Sequence, residues 1–254
     1  GTEGIVKRVT QMIPDVVDRV KELRKAGNPI NKLYVFGLGD LVEGCGEHYA
    51  MQNFSVELDQ RRQEMVARRL LVQALKKWSP HFDKVVVVCV PGNHGENRKN
   101  GKAFTNWGDN MDVSIFDHAQ EILAENKAFD HVSFVIPDNE LYLTLDIDGV
   151  ILGAAHGHQF RTGGRYSHQK AVNWLSGQAF GKTDAGDVDI LLSGHYHHLF
   201  VINEGQRTLM QAPSVDGGSE WFESLSGKNS FSGTLTFSVK SKENKLPWDN
   251  MQVL

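Results

Sequence analysis

The chain has 254 residues, 40% of them apolar and 23% charged, which suits a folded α/β domain and argues against disorder. Its 27 basic and 31 acidic residues leave a formal charge of −4, so no global basic field draws it to nucleic acid. Cys45 and Cys89 cannot build a disulfide framework, and the longest clearly apolar run, residues 85–90, is far too short to span a bilayer.

Ile5, Val9, Met12, Ile13, Val16, Val20 and Leu23 recur at helical spacing, Gly27 ends the run, and Pro14 is expected to kink or split it. Residues 33–38 read as a short buried strand leading to Asp40. From about Ser55 to Trp78 the pattern is helical, with Val66, Leu70, Leu71, Ala74 and Leu75 inward. Residues 84–90 form a continuous β-branched run bounded by Pro91-Gly92, as in a strand buried on both faces. A helix is expected from about Asp109 to Asn126. After residue 132 strands dominate: Leu141, Leu143, Leu145 and Ile147 alternate with polar residues, Asp148-Gly149 signals a tight hairpin, and residues 150–155 return. A helix near 166–177, a buried strand at 188–193, a hairpin around Asn203-Glu-Gly-Gln and a late strand at 234–239 complete the pass. No repeat or linker divides the sequence, so residues 1–254 read as one α/β domain.

Each of four predicted strands is followed by metal-ligating residue types: Gly39-Asp40, Gly92-Asn93-His94-Gly95-Glu96, His156-Gly157-His158 and Gly194-His195-Tyr196-His197. A fifth segment, Ala212-Pro213-Ser214, has no ligand of its own. In an α/β sheet, residues just past strand ends converge on one crevice. A carboxylate, an amide and several imidazoles form a mixed N/O set, which suits Mn2+, Fe or Zn2+ better than all-oxygen Ca2+ or Mg2+ sites.

Taken together, these blocks resemble the calcineurin-like metallophosphoesterases, whose pattern is D-x-H, then G-D, G-N-H-[DE], H-G-H and G-H-x-H. Four of the five blocks match in order, with Gly95 displacing the acid of the third block to Glu96. The segments Asp40-Leu-Val-Glu-Gly-Cys and Phe54-Ser-Val-Glu-Leu-Asp look most like small phosphoesterases of tailed phages. The resemblance implies two mixed β-sheets packed face to face and flanked by helices, a four-layer αββα sandwich. It implies two divalent ions, Mn2+ first with Fe and Zn2+ as alternatives. Asp40 would bridge them, with Asn93, His156 and His195 on the second and His197 on the first. His94 would contact the phosphate and protonate the leaving oxygen while hydroxide generated by the metals attacks phosphorus. The implied setting is cytoplasmic, in a host cell if phage-encoded, with a phosphodiester substrate and no membrane partner. The family's opening D-x-H has no counterpart before Asp40, and Glu43, three residues beyond Asp40 on the same loop, is poorly placed to replace it. A missing first strand is therefore expected, leaving one firm and one weak metal site.

Arg98, Lys99 and Lys102 follow His94, and Arg161 and Arg165 follow His156, so Arg98, Arg161, Arg165 and His158 are candidate substrate contacts. Arg61, Arg62, Arg68 and Arg69 share a helical side, a pattern usual for a solvated face. Trp107 and Trp221 are able to stack on a base, though core burial is the ordinary fate of each. His48 and His198 carry no ligand expectation: His48 reads as structural or surface, His198 as a supporting or exposed residue. The leading reading is a two-metal phosphodiesterase acting on nucleotides or nucleic acid. A DNA nuclease of the same family and a catalytically silent interaction module are the rivals.

Overall fold

A computed structural model describes residues 1–48, 51–161, 163–216 and 231–254. Trp221 lies outside the described residues. The chain forms two compact units, residues 1–140 and 141–254.

The first unit opens with α1 (Thr2–Lys25), which runs through Pro14 without the expected interruption. Proline removes one ladder hydrogen bond there. Against that loss, Ile13, Val16, Val17 and Val20 are buried, and the Trp78 indole N–H donates to the Ile13 carbonyl at 2.8 Å. Strand β1 (Lys32–Gly37) follows, then a short turn of helix, α2 (Gln52–Ser55), and α3 (Gln60–Trp78). The helix expected from Ser55 begins instead at Gln60, because the Asp59 carboxylate caps it by accepting from the Arg62 N–H. Its buried residues are Val72, Ala74, Leu75 and Trp78, so the inner face is shorter than the periodicity suggests.

Strand β2 (Lys84–Cys89) is the centre of a three-stranded sheet, and Val85 to Cys89 are buried, as a strand covered on both faces requires. A small hairpin, β3 (Arg98–Lys99) and β4 (Lys102–Ala103), turns at Asn100-Gly101, both at positive φ. Helix α4 (Met111–Ala124) and β5 (Val132–Val135) close the unit. Sheet order is β1-β2-β5, with all pairings parallel. Helix α3 packs on both α1 and α4.

The second unit begins with the expected hairpin, β6 (Tyr142–Ile147) and β7 (Val150–Ala155), joined by Asp148 and Gly149 at φ 53° and 90°. Then come α5 (Ser167–Gly181), β8 (Ile190–Ser193), β9 (Phe200–Glu204) and β10 (Arg207–Gln211). The mixed sheet has order β6-β7-β8-β10-β9: its three central strands are parallel and both edges antiparallel. Its core joins Ala155, Phe160, Ala171, Leu175, Val188, Leu191 and Leu209. The late strand β11 (Leu235–Val239) pairs with β12 (Trp248–Val253), which was not expected from the sequence. The fold class is α/β, with flanking helices and both mixed and antiparallel sheets. No helix among the described residues is long and apolar enough to cross a membrane.

Candidate metal centre

In the first unit, Asp40 follows β1 and Asn93-His94 follows β2, so two neighbouring parallel strands deliver them side by side. Asp40 stands in the left-handed region at φ 55°, and its Oδ1 accepts the His94 backbone N–H at 2.8 Å. A non-glycine residue held there costs on the order of 1 kcal/mol and persists only where its surroundings fix it. The fixing group is Asp112 on α4. Its fully buried carboxylate accepts the backbone N–H groups of Asp40 (2.8 Å), Leu41 (2.8 Å) and Gly92 (2.9 Å). Burial and the Asp40 charge push Asp112 up to about 6, opposed by those three donors. Asn110 caps α4 by accepting from the Asp112 N–H and donates its own Nδ2–H to the Gly92 carbonyl at 2.8 Å. One helix start thus clamps the loops after both β1 and β2.

That clamp accounts for Gly95, where the resembled pattern has an acid. A Cβ at Gly95 would collide with the Asn110 side-chain oxygen and lie 3.0 Å from Asp112 Oδ2. The displaced Glu96 binds Arg98 at 2.6 Å, and Arg98 also donates to the Gly101 carbonyl. Arg98 is therefore engaged in bracing its own hairpin, with 17% of its side chain exposed.

The His94 ring is oriented from both sides. Its Nδ1–H donates to the Glu43 carbonyl at 2.8 Å, the Glu43 carboxylate lies 3.7 Å from the same nitrogen, and the His48 ring stacks on it at 4.3 Å. Burial, with His94 and Arg98 nearby, pushes His48 down to about 4, so His48 is neutral near pH 7. Gln52, fully buried, donates to the Glu43 carbonyl and accepts the His48 backbone N–H, while Gln63 accepts the Gly44 backbone N–H. None of Asp112, Asn110, Gln52 and Gln63 is marked by a sequence motif.

In the second unit, His156 follows β7 and His195 follows β8, again on neighbouring parallel strands. His156 is 1% exposed, and its Nε2 lies 3.2 Å from His195 Nδ1. Two nitrogens each about 2.0–2.1 Å from one ion, at octahedral or tetrahedral angles, lie about 2.8–3.4 Å apart, so this pair fits one edge of a coordination shell. His195 and His197 are both left-handed, at φ 67° and 58°. His197 is more exposed, its Nδ1 lying 4.0 Å from Asp216 Oδ2. The His158 ring sits 5.4 Å from that of His156. His198 is used structurally: its Nδ1–H donates to the Tyr196 carbonyl and Ser167 Oγ lies 3.1 Å from its Nε2. Arg161 and Arg165 are exposed, with Arg165 over the Tyr166 ring.

No protein-family model matches the chain, and no curated protein matches it. Among solved structures, the chain is similar in fold to Vps29 of Entamoeba histolytica complexed with Zn2+, at 16% identity over 62% of this chain and 70% of that chain, with TM-score 0.36. It is similar to an archaeal phosphodiesterase at 11% identity, over 89% of this chain and 100% of that chain, with TM-score 0.37. A hypothetical protein of Pyrococcus horikoshii matches at 10% identity, over 94% and 81%, with TM-score 0.45. At these low values, only this chain's own residues carry a functional reading.

Proposed function

We propose that the chain is a metal-dependent phosphodiesterase of the calcineurin-like kind, acting on nucleotides or nucleic acid. The observation that carries this reading is the His156–His195 edge: two imidazole nitrogens 3.2 Å apart, one ring buried and the other on a left-handed backbone. His156 and His195 would hold a divalent ion, and the family resemblance adds Asp40, Asn93 and His197 as the further ligands for two ions. Mn2+ suits this N/O set best, with Fe and Zn2+ as alternatives. Bound ions supply Lewis-acid stabilisation of charge on the phosphoryl oxygens.

The chain's own residues do the rest. An oxygen from water bonds to phosphorus and the ester P–O bond breaks. His94 gives the departing alkoxide its proton and is reprotonated from solvent. The Glu43 carbonyl occupies Nδ1–H, which leaves Nε2 to carry the transferable proton, and the Glu43 carboxylate complements the charged ring. Neutral His48, stacked beneath, keeps the ring plane without competing for that proton.

A panel of phosphomonoesters and diesters, including cyclic nucleotides, dinucleotides and bis(4-nitrophenyl) phosphate, tests this with and without Mn2+. The expected result is Mn2+-dependent diester hydrolysis that disappears in His156→Ala. Tight metal binding without turnover of any ester would overturn it in favour of an interaction module.

A further inference from the structure

The segment after His94 has a property that the chemistry above does not use. It presents two large aromatic rings to solvent, Phe104 at 63% and Trp107 at 49% exposure, beside a two-lysine hairpin tip. The core burial expected for Trp107 is not realised, because its backbone is tied down elsewhere. Its N–H donates to Asn139 Oδ1 at 3.0 Å, and a Cβ on neighbouring Gly108 would collide with the Asp138 carbonyl. The rest of the segment is pinned too: Phe104 N–H donates to the Asn97 carbonyl, Asn97 Nδ2–H to the Asp109 carbonyl, and Arg98 to Glu96. The rings are thus exposed on a fixed backbone.

Lys99 and Lys102 stand directly opposite each other across β3 and β4. Like charges at such a position destabilise a hairpin. No ion pair relieves either lysine among the described residues. A ligand carrying both anionic groups and flat rings satisfies the whole set at once.

We propose that residues 97–110 form a binding platform for single-stranded nucleic acid, with bases stacked on Phe104 and Trp107 and the strand's phosphates against Lys99 and Lys102. The platform names the substrate class of the site above, and cleavage of a bound strand rests on the phosphodiesterase reading. Single strands are favoured over duplex because ring faces are accessible only where bases are unstacked. They are favoured over an acidic peptide because the large exposed apolar groups of the segment, Phe104 and Trp107, are both aromatic, and bases stack on such rings.

The test is fluorescence anisotropy of the full chain with a fluorescein-labelled oligothymidylate of about 20 nucleotides in EDTA, long enough to exceed the few nucleotides such a platform covers. Stacking changes affinity by roughly 5- to 150-fold per base, so the F104A/W107A pair should weaken binding by about 30-fold or more, and W107F should restore most of the Trp107 share. K99A/K102A should flatten the slope of log affinity against log salt by about 1.4. Hydrolysis of bis(4-nitrophenyl) phosphate by the parent with Mn2+ is measured in parallel, and the melting temperature of each variant should match that of the parent. Affinity of F104A/W107A within about twofold of the parent, W107F binding as weakly as W107A, or an unchanged salt slope in K99A/K102A would overturn the proposal. Intact oligonucleotide binding with no diester hydrolysis would instead overturn the phosphodiesterase reading and leave this one standing.

Discussion

Replacing Asp112 by alanine removes a carboxylate that binds backbone N–H groups of the loops after both β1 and β2. Three backbone N–H groups lose their acceptor: those of Asp40 and Leu41, which are part-buried, and that of Gly92, which is buried. A buried donor left unsatisfied costs about 1–3 kcal/mol. The Gly92 donor takes the upper part of that range and the other two the lower, because water reaches them. The sum, about 4–5 kcal/mol, is reduced by relief of the buried charge that Asp40 already opposes, leaving about 3–4 kcal/mol. Asp112→Asn keeps one oxygen, enough for Asp40 and Gly92, and turns an amide donor towards Leu41, so about 2 kcal/mol is expected. Urea unfolding followed by far-UV circular dichroism measures both. A loss under about 1 kcal/mol in Asp112→Ala, or equal losses in the two variants, would refute the clamp.

Three further outcomes are expected. His94→Ala should keep its metal content yet lose about 10²–10⁴-fold in turnover of diesters with alkyl leaving groups, and less on aryl esters; steady-state rates on the two substrate types separate these. Gly95→Asp, which would restore the resembled acid, should lower the melting temperature of the chain, because its Cβ meets the Asn110 side-chain oxygen; thermal unfolding reads this directly. Trp78→Phe should cost about 1 kcal/mol in urea unfolding, the value of the indole hydrogen bond to the Ile13 carbonyl.

Much of the fold was legible because its signals are local. The β-branched run that became β2 and the Asp148-Gly149 turn announce themselves within a few residues. So did the candidate ligands, since each stands just past a strand. The clamp was not legible: Asp112 meets Asp40 across 72 residues, and nothing in a helix start distinguishes a carboxylate that binds remote backbone from one that faces water. Pro14 misled because local propensity says nothing of Trp78, whose bond to Ile13 is made by tertiary packing. The β3–β4 hairpin was readable in principle from Asn100-Gly101, and its two-residue alternation puts Glu96 and Arg98 on one side, which accounts for an arginine expected to face substrate meeting a carboxylate instead. Strand β12 escaped because Trp248-Asp-Asn-Met-Gln-Val alternates weakly and its partner is bulged between Thr236 and Ser238.

The functional reading rests on the proposal that Asp40 and His156 are ligands of a divalent ion. Calorimetric titration of Mn2+ into the parent chain, Asp40→Ala and His156→Ala tests it most directly. Tight binding in the parent that is lost in each single variant is the predicted result; undiminished Mn2+ affinity in Asp40→Ala would contradict it.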